Sequence, residues 1–265
     1  MLAAAAMLPG FTVYDAPPGG GTLLRGTIPV AHAPGAVAGY VYLPPGFTTT
    51  QRYPVAYLLH GIRGLSGQYV ASLQLRSWAD GEITSGALKP FIAVVPGGAG
   101  LDYRGEWAGV WGRYVVDSVR WIDSHLPTVA APAGRVIAGL SAGGYGAYDI
   151  GLRHPGLFGR LESWSGYFKP IPDAPFKNAA AGILAANDPR LLVPKEAQRL
   201  RALRTRFYVS CGPSHGRWDS PQASYSFVRL ARRNRIPATY RFFPSAGHWR
   251  AEFHAGLEWA FGTAR

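Results

Sequence analysis

Short, nearly continuous apolar runs alternate with longer segments of mixed polarity along most of the chain. Runs such as 53–59, 91–95 and 135–140 have the composition of strands that are covered on both faces of a sheet. The segments between them, such as 142–153, have the length and pattern of helices. Because strand and helix alternate, the pattern predicts parallel strands joined by right-handed helical crossovers.

The complete pattern predicts a mostly parallel sheet with an antiparallel start at the turn His32-Ala-Pro-Gly. Strands are predicted at 22–30, 36–43, 53–59, 91–95, 135–140, 161–165, 206–211 and 238–243. Helices are predicted at 68–78, 113–125, 142–153, 178–187, 194–203, 221–234 and 251–261. A central sheet of about eight strands with helices on both faces, in this order, is typical of the α/β-hydrolase fold.

The chain of 265 residues is predicted to form one catalytic domain at 22–265, with a small helical insertion around 172–204. Residues 1–21 are an N-terminal extension, and its apolar start indicates either the remnant of an export or membrane segment or a disordered start. No apolar run approaches the roughly 20 residues of a membrane-spanning helix. We expect a secreted or cell-envelope protein, and a cytoplasmic location is the alternative.

Arginine supplies most of the net charge of +12. Two dense groups are Arg199, Arg201, Arg204 and Arg206, and Arg229, Arg232, Arg233 and Arg235. Such a surface favours peripheral contact with an anionic membrane or envelope polymer, and the alternative is a set of solvated helix faces. Aromatic residues are not interleaved with these arginines, which argues against a nucleic-acid partner. The one cysteine, Cys211, is predicted in a buried strand as a small core residue.

Ser141 lies between glycines at the junction of a predicted strand and a predicted helix. Gly139-Leu-Ser-Ala-Gly143 has the Gly-x-Ser-x-Gly pattern of a strained turn that lifts a serine hydroxyl above the carboxyl edge of a sheet. The pattern alone is weak in a chain with 34 glycines. Its position between strand and helix favours a nucleophile over a structural turn.

A serine hydroxyl is a poor nucleophile until a base removes its proton. His248 follows the last predicted strand, where the chain order of serine, acid and histidine places the base of an α/β-hydrolase. His125, His154 and His254 lie on predicted helices, where surface or helix-end roles are typical. His215 is expected to line the site.

The acid that orients the histidine is expected after the penultimate strand and before His248. Asp219 is the one carboxylate between Cys211 and His248, so it is the predicted acid of the triad. The alternative is that Asp219 only caps the helix at 221–234. Asp188, in the preceding insertion, is the reserve candidate.

The oxyanion of an acyl-transfer intermediate needs two N–H donors. We expect one from Ala142, which begins the helix after the nucleophile, and one from Ile62 in the loop Leu59-His-Gly-Ile-Arg-Gly64. Arg63 either contacts a carbonyl or anionic group of the substrate or is exposed to solvent.

Several segments together resemble the putative-esterase family, which includes esterase D, feruloyl esterases and mycobacterial mycolyltransferases. The resemblance rests on Gly139-Leu-Ser-Ala-Gly-Gly-Tyr-Gly-Ala147, Arg153-His-Pro-Gly-Leu-Phe158, Leu59-His-Gly61 and Gly247-His-Trp249. It implies an α/β-hydrolase without cofactor or metal that acts through an acyl-enzyme, with roles for Ser141, Asp219, His248 and the N–H groups of Ile62 and Ala142. The segment Trp-Arg-Ala-Glu-Phe after His248 departs from the family pattern, because it is about one residue tighter.

The predicted function is hydrolysis of a carboxylic ester of a small molecule, lipid or polymer. Trp107, Trp164, Tyr167 and Trp249 are candidate substrate contacts, with lid packing as the alternative for exposed aromatic residues. His-Gly-Ile-Arg resembles the oxyanion loop of the mycolyltransferases, so acyl transfer to a sugar or lipid alcohol is an alternative. A catalytically silent cell-envelope binding protein is another.

Overall fold

The computed structural model describes residues 7–31, 37–62, 66–98, 107–172, 175–213, 219–245 and 247–263. Its strands are β1 (Phe11–Asp15), β2 (Thr22–Gly26), β3 (Gly39–Leu43), β4 (Val55–Leu59), β5 (Ile92–Val95), β6 (Arg135–Leu140), β7 (Arg160–Trp164), β8 (Arg206–Cys211) and β9 (Ala238–Phe242). Its helices are α1 (Gly67–Ala71), α2 (Leu75–Thr84), α3 (Val110–His125), α4 (Ala142–Arg153), α5 (Ala181–Ala186), α6 (Pro189–Ala202), α7 (Pro221–Arg233) and α8 (His248–Phe261), with a 3₁₀ turn at Pro132–Gly134.

The strands form one mixed sheet in the order β1-β2-β3-β5-β4-β6-β7-β8-β9 within the described residues. The first three strands are antiparallel, and β3 pairs antiparallel with β5. From β5 to β9 all pairs are parallel. This arrangement confirms the predicted mostly parallel sheet with an antiparallel start.

Helices cover both faces of the sheet, as the continuous apolar runs predict. Val55, Tyr57 and Leu59 join a core beneath α3, α4, α6 and α7. Ala56 and Leu58 join a second core beneath α1, α2 and α8. Because successive residues of a strand point to opposite faces, a strand covered on both faces must be apolar throughout.

The register of the central strands brings three chain segments to one edge. Leu140 on β6 pairs with Trp164 on β7, and Trp164 pairs with Ser210 on β8. The residues that follow these strands, Ser141 and Ser165 among them, therefore lie side by side at the carboxyl edge. This is the edge at which open α/β sheets bind ligands.

Several element boundaries differ from the sequence prediction. β1 was not predicted, since it is an edge strand with mostly exposed residues. The predicted helix 68–78 is two helices, because Gln74 has a φ of 53°. In the insertion, α6 starts at Pro189 rather than at 194, and Pro189 occupies the first helical position that proline favours. The terminal helix α8 begins at His248 rather than at 251, so this histidine lies on a helix and not in a loop.

Within the described residues, no helix combines the length and the hydropathy that a membrane crossing needs.

Candidate active site

Ser141 forms a strained turn between β6 and α4. Its φ of 51° and ψ of −113° are rare for a residue with a side chain. Gly143 allows this turn to pack tightly, because a Cβ at this position would overlap the carbonyl oxygen of Leu59 at the end of β4. The N–H of Ser141 donates to the carbonyl oxygen of Trp164 at 2.9 Å, which holds the turn against β7. This is the geometry of a nucleophile elbow.

The start of α4 and the loop after β4 both adjoin Ser141. Ala142 is the first residue of α4, and the first N–H groups of a helix have no partner within the helix and carry the positive end of its dipole. A Cβ added at Gly61 would lie 3.5 Å from the Cβ of Ser141, so the loop that carries Ile62 runs beside Ser141. The oxyanion roles of the Ala142 and Ile62 N–H groups stay predictions.

His60 and Trp107 support this loop from inside the protein. Trp107 is buried, its Nε1–H donates to the carbonyl oxygen of His60 at 2.9 Å, and the two rings contact edge to face. Burial lowers the pKa of His60, so its imidazole is neutral at neutral pH. Trp107 therefore lies where it supports the loop, and its ring offers no surface for the predicted substrate contact.

His248 is buried at the same sheet edge as Ser141. Its Nδ1 forms a hydrogen bond with Oε1 of Glu252, one helical turn further along α8, and because a carboxylate oxygen accepts, Nδ1–H is the donor. A Cβ added at Gly212, directly after β8, would overlap the imidazole ring. Hydrogen bonds connect the segments of His248 and Ser141: Ser141 bonds to Trp164, and the next residue, Ser165, bonds to Glu252 at 2.7 Å.

Glu252 is a site residue that the sequence analysis missed. It is fully buried and, besides His248, accepts hydrogen bonds from the Oγ–H groups of Ser165 at 2.7 Å and Ser210 at 2.6 Å. In the usual chain order of α/β-hydrolases the acid precedes the histidine, whereas Glu252 follows it. The signal that points to Glu252 is its spacing of four residues from the histidine, which places both side chains on one face of a helix.

Asp219 lies at the start of the segment that leads into α7. The neighbouring Ser220 caps this helix by accepting a hydrogen bond from the N–H of Ala223, so the capping role weighed for Asp219 belongs to Ser220. Burial of the Cys211 thiol and, among smaller causes, the charges of Glu252 and Asp219 raise the pKa of that thiol. The role of Asp219 as the acid of the triad stays a prediction.

Asp188, the reserve candidate for the acid, is engaged in capping α6. Its Oδ1 accepts a hydrogen bond from the N–H of Arg190 at 2.9 Å, and its two oxygens accept from the guanidinium of Arg190 at 3.0 and 2.6 Å. This carboxylate is therefore committed to the start of the helix.

The other predicted substrate contacts have different environments. Trp164 is fully buried, and its Nε1–H donates to Glu162 at 3.0 Å, which is a structural role. Tyr167 is buried and stacks on Tyr145, with ring centroids 5.2 Å apart. Trp249 is 42% exposed beside His248, and its role as a substrate contact stays a prediction. Arg63 and His215 lie outside the described residues.

Two buried carboxyl groups have raised pKa values. Burial raises the pKa of Glu162 to about 8, and the hydrogen bond from Trp164 and the charge of Arg160 only partly oppose this effect. Burial likewise raises the pKa of Asp149 to about 7, opposed by Arg153. Glu162 is therefore mostly protonated at neutral pH. In the described part of the chain, no cluster of three or more His, Cys, Asp or Glu side chains has the arrangement of a metal site.

A cavity of about 290 Å³ lies between α7 and the segment after β7. Its described lining includes Phe168, Lys169, Arg190 and Phe227 but neither Ser141 nor His248. We therefore treat the cavity as separate from the candidate active site.

Comparisons with known proteins agree on one family. The family model described as Putative esterase matches residues 34–261. A protein of Mycobacterium tuberculosis named Esterase Rv1288 is 33% identical over 134 residues, which are 48% of this chain and 28% of the relative. An endo-1,4-beta-xylanase/feruloyl esterase of Xylanibacter ruminicola is 33% identical over 130 residues, which are 45% of this chain and 18% of the relative. The matched part is thus less than a third of either relative.

Solved structures confirm the α/β-hydrolase fold predicted from the element order. A ferulic acid esterase superposes with a TM-score of 0.75 at 21% identity, covering 91% of this chain and 98% of its own. The S-formylglutathione hydrolase of Staphylococcus aureus superposes with a TM-score of 0.66 at 18% identity, covering 90% of this chain and 97% of its own.

Proposed function

The chain belongs to the Putative esterase family, and from this membership we propose that it hydrolyses carboxylic esters through an acyl-enzyme formed on Ser141. The observation that carries the proposal is the strained turn of Ser141 between β6 and α4. Strained backbone of this kind is costly and persists where the surrounding structure enforces it, often at functional sites. His248 lies at the same sheet edge with a carboxylate behind it.

The residues perform the reaction in two steps. His248 accepts the proton of the Ser141 hydroxyl while Oγ of Ser141 attacks the ester carbonyl carbon. The resulting oxyanion accepts hydrogen bonds from the N–H groups of Ala142 and Ile62. The intermediate collapses, and the leaving alcohol takes the proton from His248. A water molecule, deprotonated by His248, then attacks the acyl-enzyme, so that the acid is released and Ser141 is regenerated.

We propose that the preferred ester substrates carry an aromatic acyl group. The relative from Xylanibacter ruminicola is named a feruloyl esterase in part. The exposed ring of Trp249 adjoins His248, where it can contact an aromatic acyl group. Aromatic rings bind one another by offset stacking or edge contacts. We therefore propose hydroxycinnamoyl esters of a small molecule or polymer as the preferred class.

Ester hydrolysis by the parent enzyme and by Ser141→Ala tests the proposal. With p-nitrophenyl acetate, p-nitrophenyl butyrate and methyl ferulate, we expect kcat to fall by at least about 10⁴-fold in the variant, because the nucleophile is lost. Ser77→Ala, which changes an exposed serine on α2, is the matched control and should keep the parent rate. Equal rates for Ser141→Ala and the parent would refute the proposal.

Acyl transfer to an alcohol is the alternative outcome of the same acyl-enzyme. An acceptor such as trehalose or glycerol, added to the assay, would then yield a new ester instead of free acid. We propose hydrolysis as the main reaction, so the free acid should remain the dominant product by chromatography at all acceptor concentrations.

The two arginine groups, at 199–206 and 229–235, form what we call the arginine-rich face. We also propose that this face contacts an anionic membrane or envelope polymer, in a secreted or envelope-associated protein. All eight arginines of the two groups are exposed. The guanidinium of Arg201, on α6, donates to the carbonyl oxygen of Asn234 after α7, so the two groups adjoin. A contiguous cationic surface attracts anionic lipids and polymers at low ionic strength.

A further inference from the structure

We propose that Glu252, in place of Asp219, is the positioning residue that orients His248 for catalysis. The inference rests on the proposed function, in which Ser141 and His248 act on an ester. It assigns the acid to a carboxylate that follows the histidine in the chain, on the same helix. The carboxyl group contacts neither substrate nor reacting atoms and acts through the imidazole.

Helix geometry brings the two side chains together. His248 is the first residue of α8, and Glu252 lies one turn later on the same face. Both residues are buried, with 3% and 0% of their surface exposed. Nδ1 of His248 bonds to Oε1 of Glu252. A pair held by a single helix needs no loop to position the acid.

The surroundings of Glu252 are built for a carboxylate. A buried anion is costly unless it is hydrogen-bonded. Oε1 accepts from Nδ1 of His248 and from Ser165, and Oε2 accepts from Ser210. Ser165 directly follows β7, and Ser210 lies near the end of the adjacent parallel strand β8. The sheet itself therefore positions both donors. These bonds also fix the rotamer of Glu252.

Ser165 connects this carboxylate to the nucleophile side of the site. It is buried and has a φ of 48°, a second strained residue at the carboxyl edge. Its hydroxyl donates to Glu252 at 2.7 Å and accepts from the N–H of Gly212 at 3.2 Å. Strained backbone of this kind persists where the surrounding structure enforces it. Here the strained backbone directs the hydroxyl at Glu252.

The bond to Glu252 has a defined consequence for catalysis. In the neutral imidazole one nitrogen carries the proton and the other accepts. With the proton of His248 on Nδ1 and donated to Glu252, Nε2 carries the lone pair that accepts the proton of Ser141. When the imidazolium forms, the carboxylate stabilises its charge. Both effects are those of the acid in a catalytic triad.

Glu252→Gln and Asp219→Asn, compared in the full chain, test the assignment. The glutamine keeps the size of the side chain but offers an amide to Nδ1, which favours the wrong tautomer. We expect kcat of Glu252→Gln on p-nitrophenyl acetate to fall at least about 10³-fold, with KM within about threefold of the parent. Asp219→Asn should lose less than about tenfold. Glu258→Gln, an exposed glutamate on α8, is the matched control.

Two further measurements distinguish a role of Glu252 in orienting His248 from a role only in the stability of the fold. Loss of the anion should move the acidic limb of the kcat/KM profile of Glu252→Gln to lower pH, because the carboxylate no longer stabilises the imidazolium. In ¹⁵N-histidine-labelled protein, the parent and Asp219→Asn should show a strongly downfield Nδ1–H resonance that Glu252→Gln lacks. The resonance of the first two proteins tests the proposal even if Glu252→Gln does not fold.

The opposite pattern would overturn the inference. It consists of a parent-like kcat in Glu252→Gln and a kcat reduced about 10³-fold in Asp219→Asn. A downfield Nδ1–H resonance that Asp219→Asn abolishes would overturn it as well. A parent enzyme that hydrolyses no ester would instead overturn the proposed function. The resonance distinguishes these two failures, because it reports the hydrogen bond of His248 without any substrate.

Discussion

Two serines with positive φ define the site at the level of single residues. Ser141 and Ser165 follow β6 and β7, and both have a φ near 50°. Their N–H groups remain bonded, to the carbonyl oxygens of Trp164 and Ser210, each at 2.9 Å. The strands thus continue their hydrogen bonding while the side chains turn to the edge of the sheet. The hydroxyl of Ser165 bonds to Glu252, and the proposed function assigns the attack to the hydroxyl of Ser141.

Gly212→Ala tests how closely the position of His248 controls the rate. The new Cβ would overlap the imidazole ring, so the ring must move. Because a displacement of about 1 Å in a catalytic group costs about 10²-fold, we expect kcat/KM for p-nitrophenyl acetate to fall by about that factor.

Gly182→Ala is the control for this substitution. Gly182 lies on α5, and a Cβ there meets nothing within 4 Å. The control should retain the parent kcat/KM and melting temperature. A Gly212→Ala variant with the parent rate would show that the ring position seen here is not the one used in catalysis.

At the level of elements, α8 couples His248, the proposed catalytic base, to the core. Its first two turns carry His248 and Glu252, and its later residues pack on the sheet. The Phe253 ring contacts Trp164 edge to face, with centroids 5.7 Å apart. The helix cannot shift without disturbing this packing, so the core fixes the orientation of the histidine.

The sequence predicted the sheet and the position of Ser141 because both depend on local patterns. Continuous apolar runs identify strands covered on both faces, and a Gly-x-Ser-x-Gly turn identifies the elbow. The bond between His248 and Glu252 was not predicted, because the start of α8 was placed three residues too late, at 251. A spacing of four residues places two side chains on one face only when both lie on the same helix. A loop at His248 therefore predicts no contact with Glu252. The contacts of Ser165 and Ser210 depend on strand register, which apolar runs do not specify.

Glu162→Gln tests the buried interface between β7 and α8. The folded pKa of Glu162 is raised from 4.5 to about 8, so the folded protein binds a proton that the unfolded chain releases. The parent therefore loses stability as pH rises from about 4.5 to 8. The glutamine does not ionise, and its carbonyl can accept the Trp164 hydrogen bond. Between pH 5 and pH 8, the free energy of unfolding of Glu162→Gln should gain about 3 kcal/mol relative to the parent.

Denaturant unfolding at several pH values measures this difference, with Glu258→Gln on the surface of α8 as control. The control keeps Glu162, so its free energy of unfolding should fall between pH 5 and pH 8 as that of the parent does. A constant difference between Glu162→Gln and the parent across this range would mean that Glu162 is ionised in the folded protein.

At the scale of the whole molecule, the candidate active site and the arginine-rich face lie at opposite edges of the sheet. Ser141 follows the carboxyl end of β6, whereas α6 and α7 end near the starts of β8 and β9. The arginines at these helix ends also complement the negative ends of the helix dipoles. A protein attached through this face would direct its active site away from the anionic surface, towards soluble or polymeric esters.

Vesicle sedimentation tests this attachment. The parent should bind vesicles of phosphatidylcholine with phosphatidylserine at low salt, release at high salt and not bind phosphatidylcholine alone. The triple substitution of Arg199, Arg229 and Arg233 to Gln should weaken binding by about 100-fold, at about 1 kcal/mol for each charge. Hydrolysis of soluble esters should not change. Equal binding to neutral and anionic vesicles would contradict an electrostatic contact.

Labelling with a fluorophosphonate measures whether Ser141 is an activated nucleophile. The reagent reacts with serines that a neighbouring base activates, because the base must remove the hydroxyl proton. We predict one adduct per parent chain, located on the peptide that contains Ser141, and no adduct in Ser141→Ala. His248→Ala should label far more slowly. A parent chain that stays unlabelled, or that is labelled at another residue, would contradict the account.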